Sequence, residues 1–217
     1  AAEVWELRVP PATEIHVLAR RVKHRVPPHV KARFTDKLPD LHRATVKGLP
    51  VASVERTLIA LAAELPRLRA EIALDDALRR SLTSPRRIDA CIAAISARGR
   101  RGTGIMRELL APRMSNGIPE SPLESKFYSA LLSSDVPMPR LQFEVRVAGN
   151  LYRLDFAWPT KRVAVEMDGY AYHHGKVEWE RDLARRNALT AIDWKLLHGR
   201  WDEDPYALLE KVRPLVT

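Results

Sequence analysis

Three carboxylates stand where strand chemistry disfavours them. Asp155 lies in Leu154-Asp155-Phe156-Ala157-Trp158-Pro159; Glu166 and Asp168 lie in Val163-Ala164-Val165-Glu166-Met167-Asp168-Gly169. The apolar pattern around them predicts two adjacent strands, and a charge on a half-buried pleated surface loses hydration. Acids gathered there point to something cationic held in common, and a divalent metal is the simplest candidate. Side chains two apart on a strand share a face. Glu166 and Asp168 therefore project together, with Val163, Val165 and Met167 opposite. Arg153, Asp155 and Ala157 share one face of the preceding strand, with Leu154 and Phe156 on the other. A hairpin around Pro159-Thr160-Lys161 would bring Asp155 near Glu166, and two acids that close repel unless a cation lies between them. Asp155 and Glu166 are the expected ligands of Mg²⁺ (or Mn²⁺). Such an ion keeps places for water and phosphate oxygens, which is the chemistry of phosphodiester hydrolysis.

Further candidates flank the acids. His173 and His174 follow Tyr170-Ala171-Tyr172 in a loop beside the proposed site, where His173 could act as a general base. They read equally as exposed loop histidines. Glu124 belongs to Ser121-Pro122-Leu123-Glu124, the S-x-x-E capping box, so it caps a helix or adds a further acid to the site. Arg181 and Arg185 are four apart and share a helix face. With Lys176 they are the candidate phosphate contacts; the alternative is a solvated face paired with Glu178 and Asp182.

The elements that must position these residues are legible as a helix from Ser121, a strand over Leu141–Val147, a turn at Ala148-Gly149-Asn150, and strands over Leu151–Ala157 and Arg162–Asp168. A basic helix over Val177–Ile192, a strand over Trp194–Leu197 and a helix over Tyr206–Val212 follow. The order is α-β-β-β-α-β-α, an α/β unit over residues 121–217. Residues 112–120 read as a linker. Before it, residues 51–111 read as helices: one capped by Ser53, one opened by Pro66, one opened by Ser84-Pro85 and stopped by Gly99, and a short one holding Ile105, Met106, Leu109 and Leu110. Residues 1–50 read as a small basic β unit with strands over Ile15–Leu18, His29–Phe34 and His42–Val46, the last ending at Gly48-Leu49-Pro50.

Composition is that of a globular protein: 217 residues, 46% hydrophobic and 29% charged, which excludes collagen-like and low-complexity classes. The longest apolar run, Thr57 to Leu65, is too short to span a bilayer, and Ala1-Ala2-Glu3-Val4-Trp5 lacks the pattern of a signal peptide. The single cysteine, Cys91, excludes an internal disulfide and a cysteine-based zinc site, and fits a reducing cytoplasm. It falls on an apolar helical stripe and reads as a core residue. Net charge is +9, and all of the excess lies in residues 1–120, with 22 Lys and Arg against 13 Asp and Glu. A basic half joined to a carboxylate half suggests a nucleic-acid partner.

At these residues the chain resembles the PD-(D/E)xK nuclease superfamily. Asp155-Phe156-Ala157-Trp158-Pro159, Val165-Glu166-Met167-Asp168-Gly169, His173 and Arg181-Asp182-x-x-Arg185-x-Asn187-Ala188-Leu189 look like an uncharacterised domain family related to very-short-patch mismatch-repair (Vsr) endonucleases. The resemblance covers residues 121–217. It implies a restriction-endonuclease-like mixed sheet flanked by helices and a Mg²⁺-dependent DNA endonuclease. Asp155 and Glu166 would be its metal ligands, Glu124 the acid of the first helix and His173 base-like. One position departs: the superfamily's E-x-K places Lys at 168, where this chain has Asp168, with Lys176 or Arg181 as the possible substitutes. Residues 1–115 resemble, more weakly, the AbiEi-type antitoxin family of bacteria, on Gly48-Leu49-Pro50-Val51, Glu55-Arg56-Thr57-Leu58 and Leu74-Asp75-Asp76-Ala77-Leu78-Arg79-Arg80. That resemblance implies a DNA-reading segment upstream of Ala1. The expected function is thus a cytoplasmic metal-dependent endonuclease acting on DNA, duplex in the first instance. The alternative is a non-catalytic, antitoxin-like DNA-binding regulator with a degenerate nuclease domain and a toxin partner.

Overall fold

The computed structural model describes residues 1–20, 26–35, 38–95, 102–168 and 176–217. The fold is α/β, with seven helices and sheets of both parallel and antiparallel pairing among the described residues. It divides into two compact units, Ala1–Met114 and Ser115–Thr217.

In the first unit, β1 (Ile15–Arg20) pairs in parallel with β2 (Val30–Thr35), and β3 (Arg43–Val46) pairs antiparallel with β4 (Leu49–Ala52). The strand β4 stands where the sequence suggested a stop. Lys47 and Gly48 take φ of 50° and 78°, the left-handed pair of a tight hairpin, and Pro50 is tolerated because β4 is an edge strand. Helix α1 (Val54–Glu64) is capped by Ser53, whose side chain accepts from the Arg56 amide at 3.3 Å. Next come α2 (Arg67–Arg79) and α3 (Pro85–Ile95). Their apolar stripes bury Leu58, Leu74, Ile88 and Ile92, together with Cys91, whose thiol burial pushes up to about 11. The helix stop expected at Gly99 lies outside the described residues.

The fourth helix is longer than its sequence suggested. Helix α4 runs Thr103–Asn116, through Pro112 and into the expected linker. Proline removes one helical hydrogen bond. The helix continues because Arg113, fully buried, donates to Asp75 Oδ2 at 2.9 Å and to the Leu109 carbonyl at 2.8 Å.

The second unit opens with α5 (Pro122–Leu132) and a four-stranded sheet in the order β5 (Arg140–Val147), β6 (Asn150–Trp158), β7 (Val163–Asp168), β8 (Lys195–Arg200). The first three strands run antiparallel. The last lies parallel to β7 after a crossover through α6 (Lys176–Thr190), and α7 (Pro205–Val216) closes the chain. One core joins the sheet to α5 and α7: Phe127, Tyr128 and Leu131 meet Phe156, Trp158, Val163, Val165, Leu208 and Val212. A second packs Leu189 of α6 with Val145, Leu154, Ala157, Ala164 and Trp194. Central strand β7 is covered on both faces by these cores, and its residues 163–166 are all buried.

The simple alternation expected along β6 fails at Asp155. Leu154 packs into the α6 core and Phe156 into the α5–α7 core, although they are two residues apart. The neighbouring strand is irregular at the same level: Gln142 takes φ of 51°, and the β5–β6 ladder lacks the Gln142–Asp155 pair between Leu141↔Phe156 and Phe143↔Leu154.

Candidate functional site

The hairpin joining β6 to β7 sets the pairs Trp158↔Val163, Ala157↔Ala164 and Phe156↔Val165. The next pair in that register is Asp155 against Glu166, but there the ladder ends. The Met167 amide donates instead to Asp155 Oδ2 at 2.8 Å. Where the strands separate they leave a cavity of about 410 Å³ lined by Arg153, Asp155, Glu166, Asp168 and Arg185, with Leu151, Tyr152 and Met167.

Glu124 reaches this group from the first turn of α5. Ser121 Oγ accepts from the Glu124 amide at 3.1 Å, so the cap forms; the glutamate side chain turns back to the Glu120 amide at 2.8 Å. The same oxygen, Oε2, also accepts from Gln142 Nε2 at 2.8 Å. Gln142 also lies near Asp155 and favours its charged form, so one amide group stands between the capping acid and the strand acid. The cap expected from the sequence forms, and the same side chain lies within electrostatic reach of Asp155 without lining the cavity. Gln142 Oε1 is buried without a partner among the described residues.

The charge balance is uneven. Burial raises the carboxyls of Glu124, Asp155 and Glu166 above their ordinary values. Asp155 adds repulsion to both glutamates, and Arg185 opposes the shift at Asp155 and Glu166. Arg185 is the principal cation here: it pairs with Glu166 and donates to the Arg153 carbonyl at 2.6 Å. Its Nε is buried without a partner among the described residues. The sequence assigned Arg185 to phosphate; in the fold it first satisfies an acid.

Asp168 behaves oppositely. Its Oδ2 lies 2.9 Å from Nδ1 of His198 on β8. That bond holds Asp168 below the usual carboxylate range and raises His198 above the usual imidazole value. An ionised carboxylate only accepts, so Nδ1–H is the donor. His198 escaped the sequence reading because that reading ended the strand at Leu197. Strand β8 continues through Gly199, where the absent Cβ makes room: a methyl there would meet Met167 Sδ and Leu208 Cδ2, each at 2.7 Å.

The remaining candidates divide. Arg181 is exposed on α6 and does not line the cavity. Lys176 begins α6, with no side-chain geometry described, and His173 and His174 lie outside the described residues. In the first unit several arginines are engaged by acids, while the net excess of positive charge stays unmatched. Arg67 pairs with Glu71 and Glu108; Arg8, Arg79 and Arg80 with Asp76; Arg87 with Glu55; and Arg33 with Glu64.

Among the described residues no group of three or more His, Cys, Asp or Glu side chains is arranged to hold a metal ion. Two neighbouring carboxylates are nevertheless the donor set that Mg²⁺ takes from a protein when waters and substrate phosphates supply the rest. The local excess of buried negative charge fits such an ion. Hard oxygen donors exclude a thiolate-type site.

No family model matches the chain, and no solved structure matches it. It is similar to two uncharacterised proteins of Mycobacterium tuberculosis, one from strain CDC 1551 and one from strain H37Rv. Each is 33% identical over 153 residues, which is 70% of this chain and 55% of the relative. The chain thus spans about half the length of the curated relatives it matches.

Proposed function

We propose that the second unit is a metal-dependent phosphodiesterase acting on DNA. The observation that carries this reading is that Asp155 and Glu166 line one cavity just past the end of the β6–β7 ladder, beside Arg153 and Arg185. Asp155 and Glu166 would hold Mg²⁺. When bound, the ion would polarise the scissile phosphate and favour ionisation of water. The Met167 amide holds the Asp155 carboxylate, and Glu124 would add to its surroundings through the Gln142 amide it binds. Arg153, held by Glu120 through both terminal nitrogens, and Arg185, paired with Glu166, would turn planar donors to a phosphate only by giving up part of those bonds. In the net reaction a water oxygen joins phosphorus and a phosphorus–oxygen bond to one sugar breaks. One water proton ends on that sugar oxygen and the other passes to solvent. The test is Mg²⁺- or Mn²⁺-dependent nicking of supercoiled plasmid that disappears in Asp155→Ala and Glu166→Gln. Absence of cleavage with any divalent metal by folded protein would sink it.

A second reading has its own support. Arg185 already neutralises Glu166, and Asp168 stands where the superfamily places lysine. Those features favour a degenerate nuclease domain serving an antitoxin-like regulator that binds DNA, and a toxin partner, without cutting. That reading expects salt-sensitive duplex binding indifferent to chelator and to Asp155→Ala. No helix among the described residues is long and apolar enough to cross a membrane. A cytoplasmic site of action agrees with the lone buried Cys91.

A further inference from the structure

Asp168 is the part of the cleft that the metal reading leaves without work. Its side chain lines the cavity with Asp155 and Glu166 and is 54% exposed. One oxygen, Oδ2, is held at 2.9 Å by His198, while Oδ1 has no partner among the described residues. The histidine is placed by the sheet. Strands β7 and β8 run parallel with Glu166 opposite His198 and Asp168 opposite Arg200, so the imidazole rises on the face that carries the acids. Its Nε2 also has no partner among the described residues. A half-exposed aspartate without such a bond would sample several rotamers; one fixed bond to Oδ2 leaves Oδ1 directed and free to accept.

We propose that Asp168 and His198 are the pair that holds the attacking water. Asp168 accepts a water O–H through Oδ1, and His198 is the positioning residue that fixes the carboxylate. A lysine at 168 would hold a water by donating to its oxygen. An aspartate holds it by one hydrogen, which leaves the oxygen lone pairs free to face phosphorus. The departure at 168 thus changes how the water is held without abolishing the holding. This inference rests on the phosphodiesterase reading.

The test uses the full chain. Turnover is measured as Mg²⁺-dependent nicking of supercoiled plasmid, and binding of a short blunt DNA duplex is measured separately in Ca²⁺. His198→Ala and Asp168→Asn should each lower turnover on the order of tenfold to a hundredfold, the scale of a misplaced reacting group. Duplex affinity should stay within error, and the thermal midpoint should fall by no more than the small cost of the lost Asp168–His198 pair. The double variant should be no slower than Asp168→Asn alone, because His198 acts through Asp168. His198→Asn, whose side-chain N–H sits near the place of Nδ1–H, should recover most of the rate. Asp168→Lys combined with His198→Ala should recover part of it. Wild-type turnover in His198→Ala, multiplicative loss in the double variant, or loss of duplex binding in proportion to rate would each overturn the inference while leaving the phosphodiesterase reading standing. An inactive wild type overturns both.

Discussion

Asp155 Oδ2 accepts the backbone amide of Met167 at 2.8 Å, so an acid side chain takes a β7 amide at the point where the β6 ladder has ended. That bond fixes one carboxylate oxygen of a side chain that lines the cavity with Arg153 and Arg185.

Replacing this acid separates stability from activity. Burial raises the Asp155 carboxyl, so its ionised form is disfavoured in the fold, and the contribution to stability falls as pH rises. Asp155→Asn keeps an oxygen for the Met167 amide and removes the charge. In metal-free buffer it should melt above wild type, by about 0.5–1 kcal/mol near pH 8, with the gap closing toward pH 4. Plasmid nicking should fall at least about a hundredfold. Thermal scans across that pH range, beside a nicking assay, check both signs.

Divalent metal should reverse the order. An ion that binds only the folded state stabilises it by RT ln(1 + [L]/Kd), about 2.7 kcal/mol at a hundredfold excess over Kd. Millimolar Mg²⁺ or Mn²⁺ should raise the wild-type melting temperature and leave Asp155→Asn and Glu166→Gln unmoved. A wild-type midpoint that ignores metal would contradict the expectation.

The Asp168–His198 pair gives a pH window. His198 is raised above its usual 6.5, so its contribution is complete below that value and is lost as pH climbs through the folded value. Asp168 is lowered below its usual 3.8, so its contribution is complete above that value and is lost as pH falls through the folded value. Both are present together between 3.8 and 6.5. The pair is partly exposed, so the effect is small, about 0.5–1 kcal/mol. Asp168→Asn should cost most near pH 5 and progressively less toward pH 9, as read by denaturant midpoints.

Crowding at Gly199 offers a control away from charge. A methyl there meets the ends of Met167 and Leu208 side chains, each at 2.7 Å, so both must shift. Gly199→Ala should destabilise by about 1–2 kcal/mol. By pushing Met167 it should also reduce metal affinity, measurable by calorimetric titration.

Local pattern sufficed for the element order of the second unit, because turn residues and periodicity mark ends directly. It also sufficed for the approach of Asp155 to Glu166, since a short hairpin at Pro159 leaves few registers. What escaped was nonlocal. His198 becomes a neighbour of Asp168 only through a parallel pairing formed after the whole α6 crossover, on a strand that runs past the Leu197 end expected of it. Gln142 carries no sequence mark of its positive φ, and at the same level Leu154 and Phe156 fall into different cores, against the alternation expected of them. Pro112 pointed to a linker because the buried Arg113–Asp75 contact spans 38 residues.

The Met167 amide has a use beyond architecture. Its proton is shielded by an ionisable side chain, not by a strand carbonyl. Deuterium uptake at that single backbone position therefore reports the state of the acids around it. Protonating Asp155 or drawing its carboxylate toward an ion would loosen the bond and quicken exchange there, while the amides of Val163 and Val165 keep their own pace. A nuclease-like cleft would then carry a built-in isotopic gauge, readable without DNA, label or dye.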